Sequence, residues 1–460
     1  MTLIKSISGI RGTIGGRPGE GLTPSDIVRF TSAYGTWLQR RHGRRKVSVV
    51  TGRDARRSGS MVAGLVNTSL NGLGIDVTDL GLATTPTVEL AVTGTGAHGG
   101  IIITASHNPA EWNALKLLNE KGEFLSSVDG EIVLKIAESE DYSYASLDET
   151  GTITADDSWN RKHIESILGL RLVDTEAISG AGFTVATDTI NSVGSLIVPD
   201  LLRALGVKEI HEINSEANGI FAHNPEPLPQ HLQGISGMVA GKKADAGFVV
   251  DPDVDRLAIV CEDGSMFGEE YTLVAVSDYV LKNTPGNTVS NMSSTKALKD
   301  VTEKYGYRYY SAPVGEINVV EEMKARDAVI GGEGNGGVIY PELHYGRDAL
   351  VGIALFLSHL AESGLKCSDL RKLYPEYVIA KKKLSLPPGI EFELISDEVK
   401  REYPGMKFDE RDGLKIEFEN GWVQIRRSNT EPVIRIYAEG RTNTEAESIA
   451  DTVINIVKKI

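Results

Sequence analysis

A short apolar run followed at once by a loop of small and polar residues recurs along this chain and sets narrow limits on its fold. The pattern occurs at residues 99–109, 246–256 and 328–337. Unbroken apolar runs of this length, bounded by turn-forming residues, are typical of strands buried on both faces of a parallel sheet. Helical segments lie between them, for example at 24–41 and 192–205. This alternation of strands and helices predicts α/β layers, with ligands bound beyond the carboxyl ends of the strands.

The last part of the chain follows a different pattern. Residues 414–418 and 422–426 alternate apolar and polar side chains, and a loop at 427–432 leads into a third alternating run at 433–438. Alternation with short connections predicts an antiparallel sheet, with a final helix at 444–459 on one face.

The length of 460 residues suffices for about three or four domains. We predict three α/β domains with mixed, mostly parallel sheets at 1–155, 156–257 and 258–370. A smaller α+β domain is predicted at 371–460.

Composition excludes several classes of protein. The net charge of −15 argues against a nucleic-acid partner and requires any phosphate site to be a local basic island. The two cysteines, Cys261 and Cys367, are far apart in the chain, which indicates neither a metal cluster nor a disulfide framework and fits a reducing compartment. No signal peptide or run of about 18 apolar residues is apparent. We therefore expect a cytoplasmic protein with no membrane contact.

Three alternate carboxylates follow the second apolar run. Asp251, Asp253 and Asp255 can aim at one point and hold a hard divalent cation through oxygen ligands. Arg256 would offset their negative charge and hold a phosphate. A solvated acidic turn is the simpler interpretation. A haloacid-dehalogenase-type phosphatase is a weak alternative, because that class has Thr or Val where Asp255 stands.

Ser106 follows the first apolar run and is flanked by Thr104, His107 and Asn108. Alone, such a serine would most simply brace a turn. The presence of a metal-type loop and of the basic residue Lys116 favours a phosphoryl carrier, because phosphoryl transfer depends on positioning and charge neutralisation.

Two further loops carry ligand-type residues. The glycine-dense segment 331–337 contains Glu333 and Asn335, which suit sugar hydroxyls, although a plain glycine turn would look similar. The segment 426–431 concentrates donors suited to a phosphate, with Arg435 in support.

Together these segments resemble the α-D-phosphohexomutase family, in the family's order and spacing across essentially the whole chain. The matching motifs are Ser8-Gly9-Ile10-Arg11-Gly12, Thr104-Ala105-Ser106-His107-Asn108-Pro109 with Asn113 and Lys116 downstream, Asp251-Pro252-Asp253-Val254-Asp255-Arg256, Gly332-Glu333-Gly334-Asn335-Gly336-Gly337, and Arg427-Ser428-Asn429-Thr430-Glu431-Pro432. The resemblance implies three similar α/β domains and a fourth of TATA-binding-protein-like topology around a central cleft.

The resemblance also implies roles for individual residues. Ser106 would be a phosphoserine whose phosphate joins the three aspartates in binding one Mg²⁺ per chain. The other implied roles are phosphate brackets at Arg11 and Arg256, a general acid/base at Lys116 with His107 in support, sugar-hydroxyl ligands at Glu333 and Asn335, and ligands of the non-reacting phosphate at Arg427, Ser428, Asn429, Thr430 and Arg435.

The implied reaction interconverts hexose 6-phosphate and hexose 1-phosphate through a hexose 1,6-bisphosphate, which turns end for end between two transfers. The segment 313–316 and the ending 430–432 are similar to the phosphoglucosamine mutase and archaeal mutase branches, and glucosamine phosphate is the first expected substrate. Asn335 and Gly337 depart from the Ser and His of bacterial phosphoglucosamine mutases, and glucose or mannose phosphate is the alternative. A metal-dependent sugar-phosphate hydrolase and a non-catalytic sugar-phosphate binding protein are the competing classes. Monomer and homodimer both stay open.

Overall fold

The computed structural model describes residues 2–6, 9–43, 46–385, 391–427 and 433–460. The chain divides into two compact units, and each is assembled from two separate stretches of sequence. The first unit comprises Met1–Thr272 and Gly336–Ser368, and the second comprises Leu273–Asn335 and Asp369–Ile460. Within the described residues, every helix is too short or too polar to cross a membrane.

The first sheet contains the strands β1 (Leu3–Ser6), β2 (Gly9–Thr13), β3 (Ser48–Arg53), β4 (Asp76–Leu82), β5 (Gly99–Ile103), β6 (Trp112–Leu118) and β7 (Ile153–Ala155). Its helices are α1 (Pro24–Arg41), α2 (Gly59–Gly72), α3 (Thr85–Thr95) and α4 (Ser127–Ser139). The strand order is β1-β2-β6-β5-β3-β4-β7. Strands β5, β3, β4 and β7 run parallel, whereas β1, β2 and β6 pair antiparallel with their neighbours. Helix α1 begins where a capping box predicts it, at Thr23, Pro24 and Asp26.

The second sheet and its helices comprise α5 (Trp159–Leu168), α6 (Thr175–Ala181), β8 (Thr184–Asp188), α7 (Gly194–Ala204), β9 (Glu209–Ile213), α8 (Gln233–Lys242), β10 (Ala246–Val250) and β11 (Leu257–Cys261). The order is β11-β10-β8-β9, with β11 antiparallel to β10. All five residues of β10 are buried, as are all five of β5. Both apolar runs are therefore strands covered on both faces, as their composition predicts.

The next elements are α9 (Glu269–Asn283), β12 (Asn287–Asn291), α10 (Ala297–Lys304), β13 (Tyr309–Ala312), α11 (Glu316–Ala325), β14 (Ala328–Glu333), β15 (Gly337–Ile339), α12 (Ala349–Ser363) and α13 (Cys367–Arg371). Strand β12 lies between β13 and β14, parallel to both. Helix α12 belongs to the first unit, where it is buried along most of its length. There Phe356 packs edge-on against Phe248 and Phe267.

The C-terminal elements are β16 (Val378–Ser385), α14 (Phe392–Glu402), β17 (Phe408–Asp409), β18 (Leu414–Phe418), β19 (Gly421–Arg427), β20 (Val433–Gly440) and α15 (Asn443–Val457). The sheet is antiparallel throughout, in the order β16-β20-β19-β18-β17. Its core joins Ile425 and Ile436 of the sheet to Val399 of α14 and Val453 of α15.

The predicted fold class is confirmed. Three α/β regions with mixed sheets precede an antiparallel sheet, and the final helix packs against that sheet. The third apolar run extends further than expected, because β14 continues through the glycines to Glu333. A Cβ on Gly331 would lie 2.5 Å from the sulfur of Met323 and 2.7 Å from the carbonyl oxygen of Val289, so this glycine permits close strand packing. The domain boundaries at 155, 257 and 370 stay predictions.

Candidate active site

Two loops that are distant in sequence meet in the first unit. Ser106 follows β5 and Asp251 follows β10, so each lies just beyond the carboxyl end of a buried strand. The Ser106 hydroxyl donates a hydrogen bond of 2.7 Å to Asp251 Oδ2 across 145 positions of sequence, and both side chains are buried. A hydroxyl and a carboxylate are thus held together away from bulk water.

Both loops hold a residue in the left-handed backbone region. Ser106 has a φ of 49° and Val254 a φ of 63°. This conformation is uncommon for any residue with a side chain and is an outlier for a β-branched one. Backbone strain of this kind persists only where the surroundings enforce it, and it concentrates at functional sites.

A buried arginine organises the serine loop from behind. The Arg56 guanidinium donates to the carbonyl oxygens of Pro109 at 2.6 Å and Asn108 at 2.7 Å, and it contacts the carbonyl oxygen of Ser106. Its Nε donates to Asp54 Oδ2 at 3.0 Å. The same carboxylate oxygen accepts from the Thr104 hydroxyl at 2.6 Å. One ion pair therefore fixes the loop around the serine.

Replacing Arg56 with methionine is expected to lower the free energy of unfolding by about 3–5 kcal/mol, because it leaves the buried Asp54 carboxylate without its cation. Urea denaturation measures the loss. The neighbouring Arg57 is exposed, and Arg57→Met is the matched control with an expected change within about 0.5 kcal/mol. Adding Asp54→Asn to Arg56→Met should recover part of the loss. Equal free energies of unfolding for Arg56→Met and Arg57→Met would contradict the role given to Arg56.

The three aspartates form a cluster with the donor chemistry of a hard-metal site. One carboxylate oxygen from each of Asp251, Asp253 and Asp255 lies within 4.8 Å of the others, and all three side chains are buried. Asp251 Oδ1 accepts from the backbone N–H groups of Asp255 and Arg256, each at 3.2 Å. Within the described residues, Asp253 Oδ1 and Asp255 Oδ1 are buried without a hydrogen-bond partner. Buried carboxylate oxygens without donors suit Mg²⁺, which takes oxygen ligands.

Cations surround this cluster. Lys116 Nζ lies 2.6 Å from Asp253 Oδ2 and 3.5 Å from Asp255 Oδ2. Arg347 Nη2 lies 2.6 Å from the same oxygen of Asp255, and Arg256 Nε lies 3.8 Å from Asp255 Oδ1. Together they offset the charge of the three carboxylates and form the basic island that an acidic protein needs for phosphate.

The carboxylate pKa values diverge within the cluster. Burial, followed by the charges of Asp255 and Asp253, raises the pKa of Asp251 well above its ordinary value. For Asp253 burial acts in the same direction, but the charge and hydrogen bond of Lys116 outweigh it and lower the pKa. Burial opposes the charge of Lys116, yet the attraction of the two aspartates raises its pKa. Lys116 is therefore held as a cation.

His107 lies beside the serine, and two arginines influence the charge state of this region. His107 Nδ1 is 3.4 Å from Ser106 Oγ. The positive charge of Arg256, followed by burial, lowers the pKa of His107 well below its ordinary value. Burial and the charge of Arg256 also lower the pKa of Arg11. These shifts show that Arg11, Arg256 and His107 share one electrostatic environment.

Four residues that lie at this site were not singled out from the sequence. They are Asp54, Arg56, Thr85 and Arg347. Thr85 begins α3 and donates to Asp253 Oδ2 at 2.6 Å. Asp54 and Arg56 follow β3, which is another strand-to-loop transition, so the same pattern would have found them. Arg347 lies in the irregular segment before α12, where no pattern marked it.

A buried network of two histidines and two acids lies close to Arg347. The Asp348 side chain accepts from the backbone N–H of Leu350 at 2.8 Å and so caps α12. Its Oδ2 lies 2.9 Å from His163 Nε2 and 3.4 Å from His344 Nε2. His344 Nδ1 lies 3.3 Å from Glu89 Oε2. Burial opposes a charge on His344, but Asp348 and Glu89 outweigh it and raise the pKa of His344 to about 10.

The stability of the protein is expected to fall between pH 7 and pH 10 through His344. Because its pKa is raised on folding, this group stabilises fully below about pH 6.5, and the contribution disappears as the pH rises through about 10. The loss is on the order of 3 kcal/mol. The measurement is the free energy of unfolding at both pH values for the wild type and His344→Gln. The variant should show a smaller fall, whereas the partly exposed His231→Gln control should match the wild type. An identical fall in the free energy of unfolding between the two pH values in all three proteins would refute the role given to His344.

The sugar-loop residues lie in the second unit. Glu333 Oε1 accepts from Asn291 Nδ2 at 2.7 Å and from the backbone N–H of Gly315 at 3.2 Å. Asn335 Nδ2 lies 3.4 Å from Glu333 Oε2. Glu333 therefore ends β14 with its carboxylate oriented by the last residue of β12 and by the loop after β13. Asn291 was not singled out from the sequence, although it ends β12 just as Glu333 ends β14.

Two of the predicted distal phosphate ligands, Arg427 and Arg435, lie on β19 and β20 in the same unit. Ser428, Asn429 and Thr430 lie outside the described residues. Arg427 is exposed, with Nη2 at 3.1 Å from Glu391 Oε2. Arg435 lies opposite Arg426 in the pairing of β19 with β20. The Nε atoms of Arg426 and Arg435 are buried without a hydrogen-bond partner among the described residues. Two arginines on paired strands, each with a buried Nε donor that lacks a partner among the described residues, suit an anion.

Comparison with known proteins agrees with this architecture. Models of the phosphoglucomutase/phosphomannomutase α/β/α domains I, II and III match residues 3–143, 161–264 and 268–377. The model of the family's C-terminal domain matches residues 381–456.

Similar proteins cover almost the whole chain. A phosphoglucomutase/phosphomannomutase of Thermococcus kodakarensis is 36% identical over 97% of this chain and 98% of its own length. A probable phosphoglucosamine mutase of Methanopyrus kandleri is 31% identical over 98% of this chain and 97% of its own. The crystal structure of a phosphoglucomutase/phosphomannomutase family protein from Burkholderia thailandensis has the same fold, with a TM-score of 0.84 at 24% identity over 99% and 98% of the two chains.

The fold and the family's domains define an enzyme of the isomerase class, a mutase acting on phosphosugars. This chain belongs to the phosphoglucomutase/phosphomannomutase family, one of the α-D-phosphohexomutases.

Proposed function

We propose that this enzyme interconverts hexose 6-phosphate and hexose 1-phosphate with Ser106 as the phosphoryl carrier. One observation carries the proposal: the Ser106 hydroxyl lies 2.7 Å from an oxygen of Asp251, within a buried cluster of three carboxylates. A serine whose sole task was to brace a turn would not need a second loop from 145 positions away.

The proposed chemistry consists of two phosphoryl transfers, each of which moves a different phosphoryl group. In the first transfer the bond between phosphorus and Ser106 Oγ breaks, and a bond to the free hydroxyl of the hexose monophosphate forms. The net proton movement is from that hydroxyl to Ser106 Oγ. Lys116 is assigned this relay: as a cation it would give a proton to Ser106 Oγ and then regain one from the hydroxyl, with His107 beside the serine in support. Arg11 and Arg256 hold the transferring group through charge-assisted hydrogen bonds.

Asp251, Asp253 and Asp255 would hold one Mg²⁺ per chain together with the phosphate on Ser106. When bound, the ion supplies charge neutralisation to the phosphoryl oxygens. The chain's own contribution is to fix the three carboxylates through the left-handed turn at Val254 and the cations around them.

A second group of residues is proposed to recognise the rest of the substrate. Glu333 and Asn335 would bind sugar hydroxyls. The non-reacting phosphate would be held by Arg427, Ser428, Asn429, Thr430 and Arg435. The first transfer then gives a hexose 1,6-bisphosphate, and the same ligands accept either of its phosphates. Reversal of the bisphosphate would return the other phosphate to Ser106.

Glucosamine phosphate is the first proposed substrate. The similarity of the segments 313–316 and 430–432 to the phosphoglucosamine mutase and archaeal mutase branches supports it. So does the probable phosphoglucosamine mutase that is similar over nearly the whole chain. Glucose and mannose phosphates form the second candidate, favoured by the 36% identity to a phosphoglucomutase/phosphomannomutase and by Asn335 and Gly337 in the sugar loop.

A side-by-side assay tests the sugar. The 6-phosphates of glucosamine, N-acetylglucosamine, glucose and mannose are compared with Mg²⁺ and a catalytic amount of the matching 1,6-bisphosphate. We expect kcat/KM for glucosamine 6-phosphate to exceed the others by about tenfold or more, the discrimination that one or two kcal/mol of pocket contact provides. A higher kcat/KM for glucose or mannose 6-phosphate would select the second candidate.

Replacing Arg427 with alanine is expected to raise KM by about 10-fold to 100-fold and leave kcat within about 2-fold, because one charge-assisted hydrogen bond to phosphate contributes about 1.5–3 kcal/mol. Its ion pairs to Glu391 and Glu393 are exposed and add little stability. Steady-state kinetics of Arg427→Ala and of the exposed Arg441→Ala control provide the test. An unchanged KM would contradict the phosphate role.

A further inference from the structure

The two cysteines are in contact, although their distance in sequence indicated no disulfide framework. Cys261 ends β11 and Cys367 begins α13, and the two thiol groups share a hydrogen bond. Both are free thiols and both are buried. Neither cysteine has a role in the proposed catalysis or substrate binding.

The residues that follow the cysteines hold the two backbones together. Glu262 accepts hydrogen bonds from the backbone N–H of Ser368 at 2.9 Å and from the Ser368 hydroxyl at 2.6 Å. The carboxylate thus bridges the end of β11 to the start of α13. Because both residues adjoin a cysteine, this bridge holds the backbones of the two cysteines close together in the folded protein.

We propose that Cys261 and Cys367 are a redox-active pair that forms a reversible intramolecular disulfide on oxidation by a peroxide. In the reaction, a thiolate sulfur attacks a peroxide oxygen, the O–O bond breaks, and the sulfur becomes a sulfenic acid. The second sulfur then attacks the first, the S–O bond breaks, and the S–S bond forms. The two thiol protons leave in two molecules of water, so one peroxide is reduced for each disulfide formed.

The environment of the pair supports this order of events. The hydrogen bond from Cys367 lowers the pKa of Cys261, and the same contact, together with burial, raises the pKa of Cys367. The contact therefore favours a thiolate on one sulfur of the pair, and the thiolate is the form that attacks a peroxide.

A cavity reaches one member of the pair. It has a volume of about 620 Å³, and Cys367 lies in its wall. Lys243, Leu365 and Lys366 also line it and are exposed, so the cavity opens to solvent. A small oxidant that enters this cavity would meet the Cys367 side of the pair.

The disulfide would stabilise the first unit. It would close a loop of about 100 residues, which restricts the unfolded chain strongly. An increase in Tm on the order of 5 °C is expected. The bond would not involve the loops that carry Ser106 and Asp251, so mutase activity should stay within about 2-fold.

The test uses the full chain treated with hydrogen peroxide and then freed of it. The expected product has no thiol that reacts with Ellman's reagent in denaturant. A non-reducing peptide map should show the segments containing Cys261 and Cys367 joined, and dithiothreitol should restore both thiols and the original Tm. Cys261→Ala and Cys367→Ala are the controls, and neither should gain Tm on oxidation.

Three results would overturn the proposal. They are persistence of both thiols at peroxide concentrations that oxidise an exposed thiol, conversion to sulfinic or sulfonic acid without cross-linking, and disulfide formation only between chains. The wild-type peptide map decides among them even where a variant fails to fold.

Discussion

Turnover by the Ser106→Ala variant is expected to fall by about 10⁴-fold or more in kcat, because the variant has no oxygen to carry the phosphoryl group. The fold should persist. The hydroxyl makes one hydrogen bond to Asp251, so its removal costs about 1 kcal/mol. Thermal unfolding would show that the variant is folded, and a coupled assay with glucosamine 6-phosphate or glucose 6-phosphate would measure kcat.

Protein-bound phosphate gives a second measurement that is independent of the sugar. Intact mass should show phosphate on the wild type after incubation with hexose 1,6-bisphosphate and none on Ser106→Ala. Ser139→Ala at the exposed end of α4 is the matched control and should keep both activity and phosphate. Wild-type activity in Ser106→Ala would remove the proposed carrier. Steady release of free phosphate as the main wild-type activity would instead favour the hydrolase.

Removal of Mg²⁺ by excess chelator is expected to lower turnover by about 10³-fold or more. A phosphoserine carries a charge of about −1.5 to −2 and would sit beside three buried carboxylates. The cations Lys116, Arg256 and Arg347 offset part of this charge, but each already lies near a carboxylate of the cluster. Activity should return on addition of Mg²⁺. Full activity in excess chelator would contradict the metal role.

Thermal stability reports on metal binding without an assay of turnover. A ligand present at about 100 times its Kd stabilises the folded state by about 2.7 kcal/mol, so Mg²⁺ should raise the Tm of the wild type. Asp251→Asn should lose most of this increase. Asp188→Asn also changes a buried aspartate at the end of a strand, and it should keep the increase because Asp188 lies outside the cluster. An equal increase in both variants would place the metal elsewhere.

The sequence predicted those parts of the site that follow buried strands. The apolar runs before Ser106 and Asp251 indicate strands buried on both faces. The carboxyl ends of such strands are where α/β proteins hold ligands. Periodicity also predicted the antiparallel C-terminal sheet, because a sheet with one face covered by helices requires alternation.

The remaining site residues could not be predicted from the sequence, because their positions depend on tertiary packing. Arg56 and Arg57 are neighbours of identical chemistry, yet one is wholly buried and the other exposed. Only the position of Asp54 and the loop carbonyl groups distinguishes them. Arg347 likewise pairs with Asp255 from a segment without regular structure. Local propensity carries no information about such long-range charge pairs.

The discontinuous first unit limits how this protein can be divided for study. A fragment that stops after Thr272 would lack helix α12, and the rings of Phe248 and Phe267 would lose the side chain of Phe356. It would also lack Arg347, whose guanidinium group pairs with Asp255. Such a truncation would expose a large apolar surface and aggregate, so a soluble minimal version would need residues 336–368 joined back by a short linker.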